Sequence, residues 1–182
     1  MQKTIILPIS DGFEEIEAIS IIDIARRAGI ILHIASIKDL KVTGAHQLVI
    51  QADEKFSLQN ASKYGAIVIP GGSLCAESLS NHEELKLLIK QFIEQQKLIA
   101  AICASPALVL GKNNFLENIN ATCYPSLKNY IKNFLDKPVV SHHNFITAQG
   151  PASALDFSLK IVEYLAGFDT SKKIAKDILS KT

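Results

Sequence analysis

A cysteine at position 103 closes the apolar run Leu98–Ile102 and is followed by Ala104-Ser105-Pro106. A proline at that distance suits the first turn of a helix. The spacing therefore puts the sulfur on an abrupt strand-to-helix elbow, the geometry by which hydrolase serines project above a sheet. Free N–H groups at the start of the following helix, and its positive dipole end, favour a thiolate there. The expected thiol pKa lies below the free value of about 8.5. The chemistry on offer is that of a nucleophilic or oxidisable sulfur. A small, inert cysteine at a buried strand end is the competing reading.

Two further groups belong with that sulfur. Ile21, Ile24, Ala25 and Ala28 mark the apolar face of a predicted helix, and Glu17 sits one turn before Ile21 on the same stripe, whereas Glu15, Asp23 and Arg27 lie off it. A carboxyl on a buried stripe has its pKa raised and can hold a proton, as a hydrogen-bond donor to a thiolate or as a general acid/base. Glu14 and Glu15 read as complements to the helix dipole. Pro70-Gly71-Gly72-Ser73 forms a turn after a third apolar run. Its glycines let bare N–H groups approach a reacting oxygen as oxyanion donors, although most such turns are ordinary.

The other candidates carry less. Cys75 follows the glycine turn and reads either as a neighbour of the site or as helix core, and Cys123 reads as structural. His33 falls in a strand, His82 near a helix start at the surface, and His46 in an irregular stretch. His142-His143 are adjacent strand residues that should face opposite ways. No His-x-x-x-His or Cys-x-x-Cys spacing suggests a metal site.

The elements that position these groups alternate along the chain. Thr4–Ile9 is a β-branched run. Asp11-x-x-Glu14 reads as a capping box opening a helix to about Ala28, which Gly29 ends. Ile30–Ile37, Ala66–Ile69 and Leu98–Ile102 are almost continuously apolar, as parallel strands covered on both faces must be. Lys41 to about Gln51 is a possible hairpin. Glu83 to about Gln95, with Leu87, Leu88 and Phe92 on one side, Ser153–Leu165 and Ser171–Leu179 are amphipathic helices. Residues 113–136 are polar and broken, with one possible strand at Ala121–Tyr124, and Val139–Val140 and Phe145–Thr147 are edge candidates. This alternation predicts an open, mostly parallel sheet with helices on both faces. Such sheets bind ligands beyond their strands' carboxyl ends, where Asp11–Glu17, Pro70–Gly72 and Cys103 would meet.

Composition narrows the class. The 182 residues, read as one domain over 1–182, are 48% hydrophobic and 20% charged, and 19 Lys+Arg against 18 Asp+Glu give a net charge of +1. That excludes a disordered or coiled-coil chain and gives no electrostatic footprint for nucleic acid or for a membrane surface. Three cysteines are too few for a disulfide scaffold. Met1-Gln2-Lys3-Thr4 leads directly into the first run, no signal-peptide pattern precedes it, and no apolar run reaches about 18 residues. The expectation is a cytoplasmic protein with reduced thiols.

Glu14-Glu15-Ile16-Glu17, Pro70-Gly71-Gly72, Ala100-Ala101-Ile102-Cys103-Ala104 and Gln149-Gly150-Pro151 with the helix after it together resemble the ThiJ/PfpI family, specifically its ThiJ-type bacterial members. The match runs in order over essentially the whole chain. It implies a flavodoxin-like three-layer α/β sandwich, a homodimer and no cofactor. It implies Cys103 as the nucleophile, Glu17 as the protonated acid at its sulfur, and the N–H groups of Gly71, Gly72 and Ala104 as donors. The activities it implies are glutathione-independent glyoxalase chemistry, deglycation of methylglyoxal- or glyoxal-modified amino and thiol groups of proteins or nucleotides, redox sensing by cysteine oxidation, and chaperone-like protection. Proteases of the family carry a histidine directly after the cysteine, where this chain has Ala104.

Three positions depart from the human-type pattern. Tyr124 stands where that pattern has a histidine before a proline, and His46 and Gln149 stand where several relatives have arginine. A phenol, with a pKa of about 10, is a poor base at neutral pH, and losing two arginines weakens the positive field for an anionic substrate. The leading expectation is an enzyme on dicarbonyl-derived adducts. The alternatives are a peroxide sensor that stops at sulfenic or sulfinic acid, and a holdase with an exposed apolar patch.

Overall fold

The computed structural model describes residues 3–180; Met1 and Gln2, at which the N-terminal reading starts, lie outside them. In chain order the elements are β1 (Thr4–Ile9), α1 (Glu15–Arg27), β2 (Ile31–Ser36), β3 (Lys41–Thr43), β4 (Val49–Gln51), β5 (Glu54–Lys55), β6 (Ala66–Ile69), α2 (Ser73–Ser80), α3 (Glu83–Glu94) and β7 (Leu98–Ile102). A π-helical turn, Pro106–Gly111, precedes β8 (Asn120–Ala121), β9 (Asn133–Phe134), β10 (Val139–His142), β11 (Phe145–Ala148), α4 (Ala154–Ala166) and α5 (Phe168–Asp177).

Seven strands form one sheet in the order β10-β11-β7-β6-β1-β2-β5, in which β10–β11 is the antiparallel pair and the other pairs are parallel. Every residue of β6 and β7 is buried, which explains their uninterrupted apolar runs. α1 packs on α4 and α4 on α5, while α2 packs on the π-helical turn and α3 on β7. The expected mostly parallel α/β sheet with helices around it is thus the observed fold. From β1 the chain passes outward to β2 in one direction and to β6 and β7 in the other, so β1, β6 and β7 end side by side at a topological switch point.

Several expectations change at the residue level. Asp11 does not cap α1. Its Oδ1 accepts the Thr43 N–H at 2.9 Å from the β3–β4 hairpin, and the helix starts after Glu14 without a side-chain cap. The end of α1 does follow the sequence signal. Gly29 has φ +68°, its N–H bonds Arg26 O, and Ile30 N–H bonds Ala25 O, which is a Schellman closure. Leu87 is 48% exposed on α3, and Leu85, Leu88, Ile89 and Phe92 make the buried face. Of the two edge candidates, β11 is an interior strand between β10 and β7, and β10 lies at an edge. Of the Ala121–Tyr124 candidate only Ala121 is strand, and with the residue before it forms β8. His82 is half-buried as the N-cap of α3. His142 and His143 do not diverge: His143 has φ +53° and the rings lie 4.3 Å apart.

Candidate active site

The three loops converge as the topology requires. Cys103 leaves β7 with φ +64°, a left-handed conformation unusual for a residue with a Cβ. Two backbone bonds hold it there: its N–H donates to Ala148 O at 2.9 Å, and its carbonyl accepts the Tyr124 N–H at 2.8 Å. Such strain, of order 1 kcal/mol, persists only where neighbours over-determine the residue, and it clusters at functional sites. The elbow expected from sequence is therefore present. The chain does not continue from it as an ordinary α-helix but as a short π-helical turn beginning at Pro106, with its Lys112 N–H on Ala107 O.

Glu17 is fully buried on the inner face of α1, with Ala18, Ile21, Ile24 and Ala25, so the helical-wheel placement holds. Its Oε2 accepts the Gly71 N–H at 2.7 Å. Its Oε1 is sealed from solvent and makes no conventional hydrogen bond; the carboxyl couples instead to the Cys103 thiol. Gly71 lies between the two. A Cβ there would stand 2.5 Å from both Cys103 Cβ and Glu17 Oε2. Gly72, with φ +91°, turns the chain into α2, and a Cβ on it would collide with Gly12 O.

Electrostatics corrects the expected low thiol pKa. Burial pushes the Cys103 thiol up to about 12, with the charge of Glu17 adding to it, against hydrogen bonds from the Gly72 and Ala104 N–H groups that pull it down. Burial likewise raises Glu17 from 4.5 to about 7, opposed by the Gly71 N–H and by Cys103. The two groups titrate as one pair. The first proton leaves near neutrality and the second is strongly opposed. Above about pH 7 the pair thus holds one proton, resting on the sulfur beside the Glu17 carboxylate, and the two donors at the sulfur offset part of the cost of moving that proton to the carboxyl.

The donors divide their work. The Gly71 N–H is committed to Glu17, whereas the Gly72 and Ala104 N–H groups point at the sulfur. Ser105, which sequence reasoning misses, is fully buried and donates through Oγ to Pro70 O at 2.6 Å. A second missed contact joins the β3–β4 turn to the head of α1. Glu15 accepts the His46 N–H at 2.6 Å and meets His46 Nδ1 at 2.9 Å. Burial pushes Glu15 up, yet these bonds outweigh it and its pKa falls, while the same contact raises His46. Among the described residues, Glu14, Glu15 and His46 bring three potential metal-ligand atoms within 4.8 Å of one another; the His46–Glu15 bonds account for that clustering. Local sequence gives no sign of the contact, because it joins residues 31 apart.

The remaining candidates sit at the margins. Tyr124 is half exposed and its ring packs over Gly150, while Gln149 Nε2 bonds Asp136 Oδ1 at 2.7 Å. Cys75 and Cys123 are fully buried, with thiols raised by burial to about 12 and about 11. Cys75 lies behind the site, close enough to feel the charge of Glu17. A surface hollow of about 810 Å³ beside α4 and α5 is lined by none of the site residues described above.

The chain matches the DJ-1/PfpI family over residues 3–164. It is 34% identical to Protein DJ-1 homolog B of Arabidopsis thaliana over 96% of this chain and 41% of that protein, so it spans less than half of that relative's length. It is 30% identical to the glutathione-independent glyoxalase DJ-1 of Schizosaccharomyces pombe, covering 93% of this chain and 95% of that one. Among solved structures, oxidized Toxoplasma gondii DJ-1 superposes with a TM-score of 0.93 at 34% identity, covering 98% of this chain and 99% of that one. With the elbow cysteine, the buried acid and the glycine turn in place, the chain belongs to the DJ-1/PfpI family. Among its described residues no helix is long and apolar enough to cross a membrane.

Proposed function

We propose that this protein is a cysteine-dependent, glutathione-independent glyoxalase that also acts on the adducts methylglyoxal and glyoxal form with amino and thiol groups. The observation that carries the reading is the Glu17 carboxyl, fully buried on α1 with its pKa raised to about 7, set against the half-buried Cys103 thiol at the elbow. The name of the Schizosaccharomyces pombe relative supports it.

The geometry supports a definite course. The Cys103 sulfur attacks the aldehyde carbon of methylglyoxal, forming an S–C bond and placing negative charge on oxygen. The Gly72 and Ala104 N–H groups, no longer needed by the sulfur, hold that oxygen. Glu17 supplies the proton that neutralises it. The carboxylate left behind removes the hydrogen on the sulfur-bearing carbon as a proton and returns one to the neighbouring carbon, while the hydroxyl proton passes to the former ketone oxygen, giving a lactoyl thioester. Water cleaves the resulting thioester, and the sum is methylglyoxal plus water to lactate. On a hemiaminal adduct the sulfur takes the amine's place at that carbon: the S–C bond forms as the C–N bond breaks, Glu17 protonates the leaving amine, and the hemithioacetal so formed continues as above. No step calls on a cofactor or on Tyr124 as a base. The test is lactate formation from methylglyoxal in buffer free of glutathione; its absence at high enzyme concentration refutes the reading.

A second reading, peroxide sensing, is favoured by the contrast among the cysteines, since only Cys103 reaches solvent. Oxygen from mild peroxide is expected on Cys103, with Cys75 and Cys123 unmodified in the native protein. Peptide mass spectrometry checks this, and equal oxidation of all three contradicts it.

The homodimer is also part of the proposal. Ile16 and Ile19 on α1 are 58% and 41% exposed, and Leu48 and Val49 on the hairpin that clasps the head of α1 are 45% and 46% exposed. Apolar side chains so placed suit a second copy. Sedimentation is expected to give a dimer that Ile16→Glu with Val49→Glu converts to monomer; a monomeric wild type contradicts it.

A further inference from the structure

We propose that Ser105 is a positioning residue that sets the proton affinity of Glu17 through the Pro70–Gly71 peptide. This role rests on the reading of Glu17 and Cys103 as the reactive pair.

One planar group makes the link. The carbonyl of Pro70 and the N–H of Gly71 belong to the same trans peptide and point in opposite directions. Ser105 Oγ donates to that carbonyl at 2.6 Å. At the other end of the same unit, Gly71 N–H donates to Glu17 Oε2 at 2.7 Å. A hydroxyl on one loop is thereby linked to the carboxyl on α1 through a single peptide. A donor on the carbonyl polarises the unit and strengthens its N–H as a donor. The same bond fixes the tilt of the plane and so the aim of the N–H.

Among the described residues, the other buried serines that donate to a carbonyl serve helical segments, and Ser80 bonds Leu108 O in the π-helical turn. Ser158 bonds Ala154 O four residues back, and Ser171 bonds Leu159 O on a neighbouring helix. These close helix carbonyls. Ser105 instead reaches 35 residues back along the chain, to a carbonyl just beyond β6. Pro70 is buried there and, as a proline, has no N–H of its own. Without Ser105 the carbonyl loses its side-chain donor, and the Pro70–Gly71 peptide loses the contact that orients it against Glu17.

The consequence has a sign. The Gly71 N–H stabilises the charged carboxylate. Weakening it makes the carboxyl hold its proton more tightly, so the pair loses its first proton at higher pH. The other ionisable groups facing Glu17 are Cys103 at the end of β7, Glu14 at the head of α1 and Cys75 in α2, and a change at Ser105 leaves all three in place.

The experiment is the pH profile of Cys103 alkylation by iodoacetamide, read by peptide mass spectrometry, in wild type, Ser105→Ala, Ser105→Thr and Ser105→Val. Thr and Val match in shape and differ by the hydroxyl, so that pair separates the hydrogen bond from packing even if the alanine variant folds poorly. The midpoint is expected to rise by about half a pH unit in Ala and Val and to stay at the wild-type value in Thr. Coincident midpoints in Val and Thr overturn the inference. A wild-type profile without an inflection near neutrality overturns it together with the reactive pair. Failure to turn over methylglyoxal, with the Ser105 effect intact, removes only the substrate assignment.

Discussion

Cys103→Ala abolishes lactate formation from methylglyoxal, with kcat/KM falling by at least ~10³-fold, while the protein remains folded. The cause is local. Sulfur supplies the only covalent bond between enzyme and substrate in the proposed course, and the two N–H donors aimed at it cannot replace it. Alanine keeps the Cβ that lies against Gly71 and adopts the same left-handed backbone at no greater cost than cysteine. The elbow keeps its bonds to Ala148 and Tyr124, since both are made by backbone atoms. Thermal unfolding should therefore move by only a few degrees. Activity and stability separate in this variant, and retained turnover with the sulfur gone contradicts the mechanism outright.

Glu17→Gln should lower activity and raise stability together. The amide cannot shuttle a proton, and loss of a general acid/base costs about 10²–10⁴ in rate. The stability effect comes from the raised carboxyl. Its pKa is about 7 in the native state against 4.5 in the ordinary one, a difference of 2.5 units or about 3 kcal/mol. Because the folded value is the higher one, the native state binds the extra proton. Wild-type stability is thus fully present below about pH 4.5, falls as pH rises through about 7, and is level above. Glutamine lacks this loss. The gap in favour of the variant should open across that window and stand near ~3 kcal/mol at about pH 8, several degrees in melting temperature. Denaturant melts at the two ends of the window read it. A variant less stable than wild type at the alkaline end would show that the carboxylate is well satisfied in its site.

The parts of this molecule legible in its sequence are those decided by short-range pattern. β6 and β7 announce themselves because a strand buried on both faces has no polar residue to interrupt it. Gly29 ends α1 because a left-handed closing residue needs no Cβ. Glu17 is readable because helical periodicity places it on the stripe of Ile21 and Ile24. The parts that escape depend on contacts distant in sequence. Asp11 is drawn away from its capping role by Thr43, 32 residues on. Glu15 looks like a dipole complement until the hairpin brings His46 to it. The thiol pKa is misjudged from the helix start alone, because burial and the Glu17 charge come from the assembled fold and outweigh the two N–H donors. Ser105 gives no local signal, since its partner lies beyond β6. The π-helical turn after Pro106 replaces an expected α-helix, and no sequence pattern accounts for it.

The most direct test is the pH dependence of Cys103 alkylation in wild type beside Glu17→Gln. The shared proton predicts an inflection near pH 7 in wild type. It predicts that the glutamine variant loses this inflection and titrates as a single buried thiol, above the free value of about 8.5. Superimposable curves in the two proteins would mean that the carboxyl and the sulfur ionise independently, and would contradict the account at its centre.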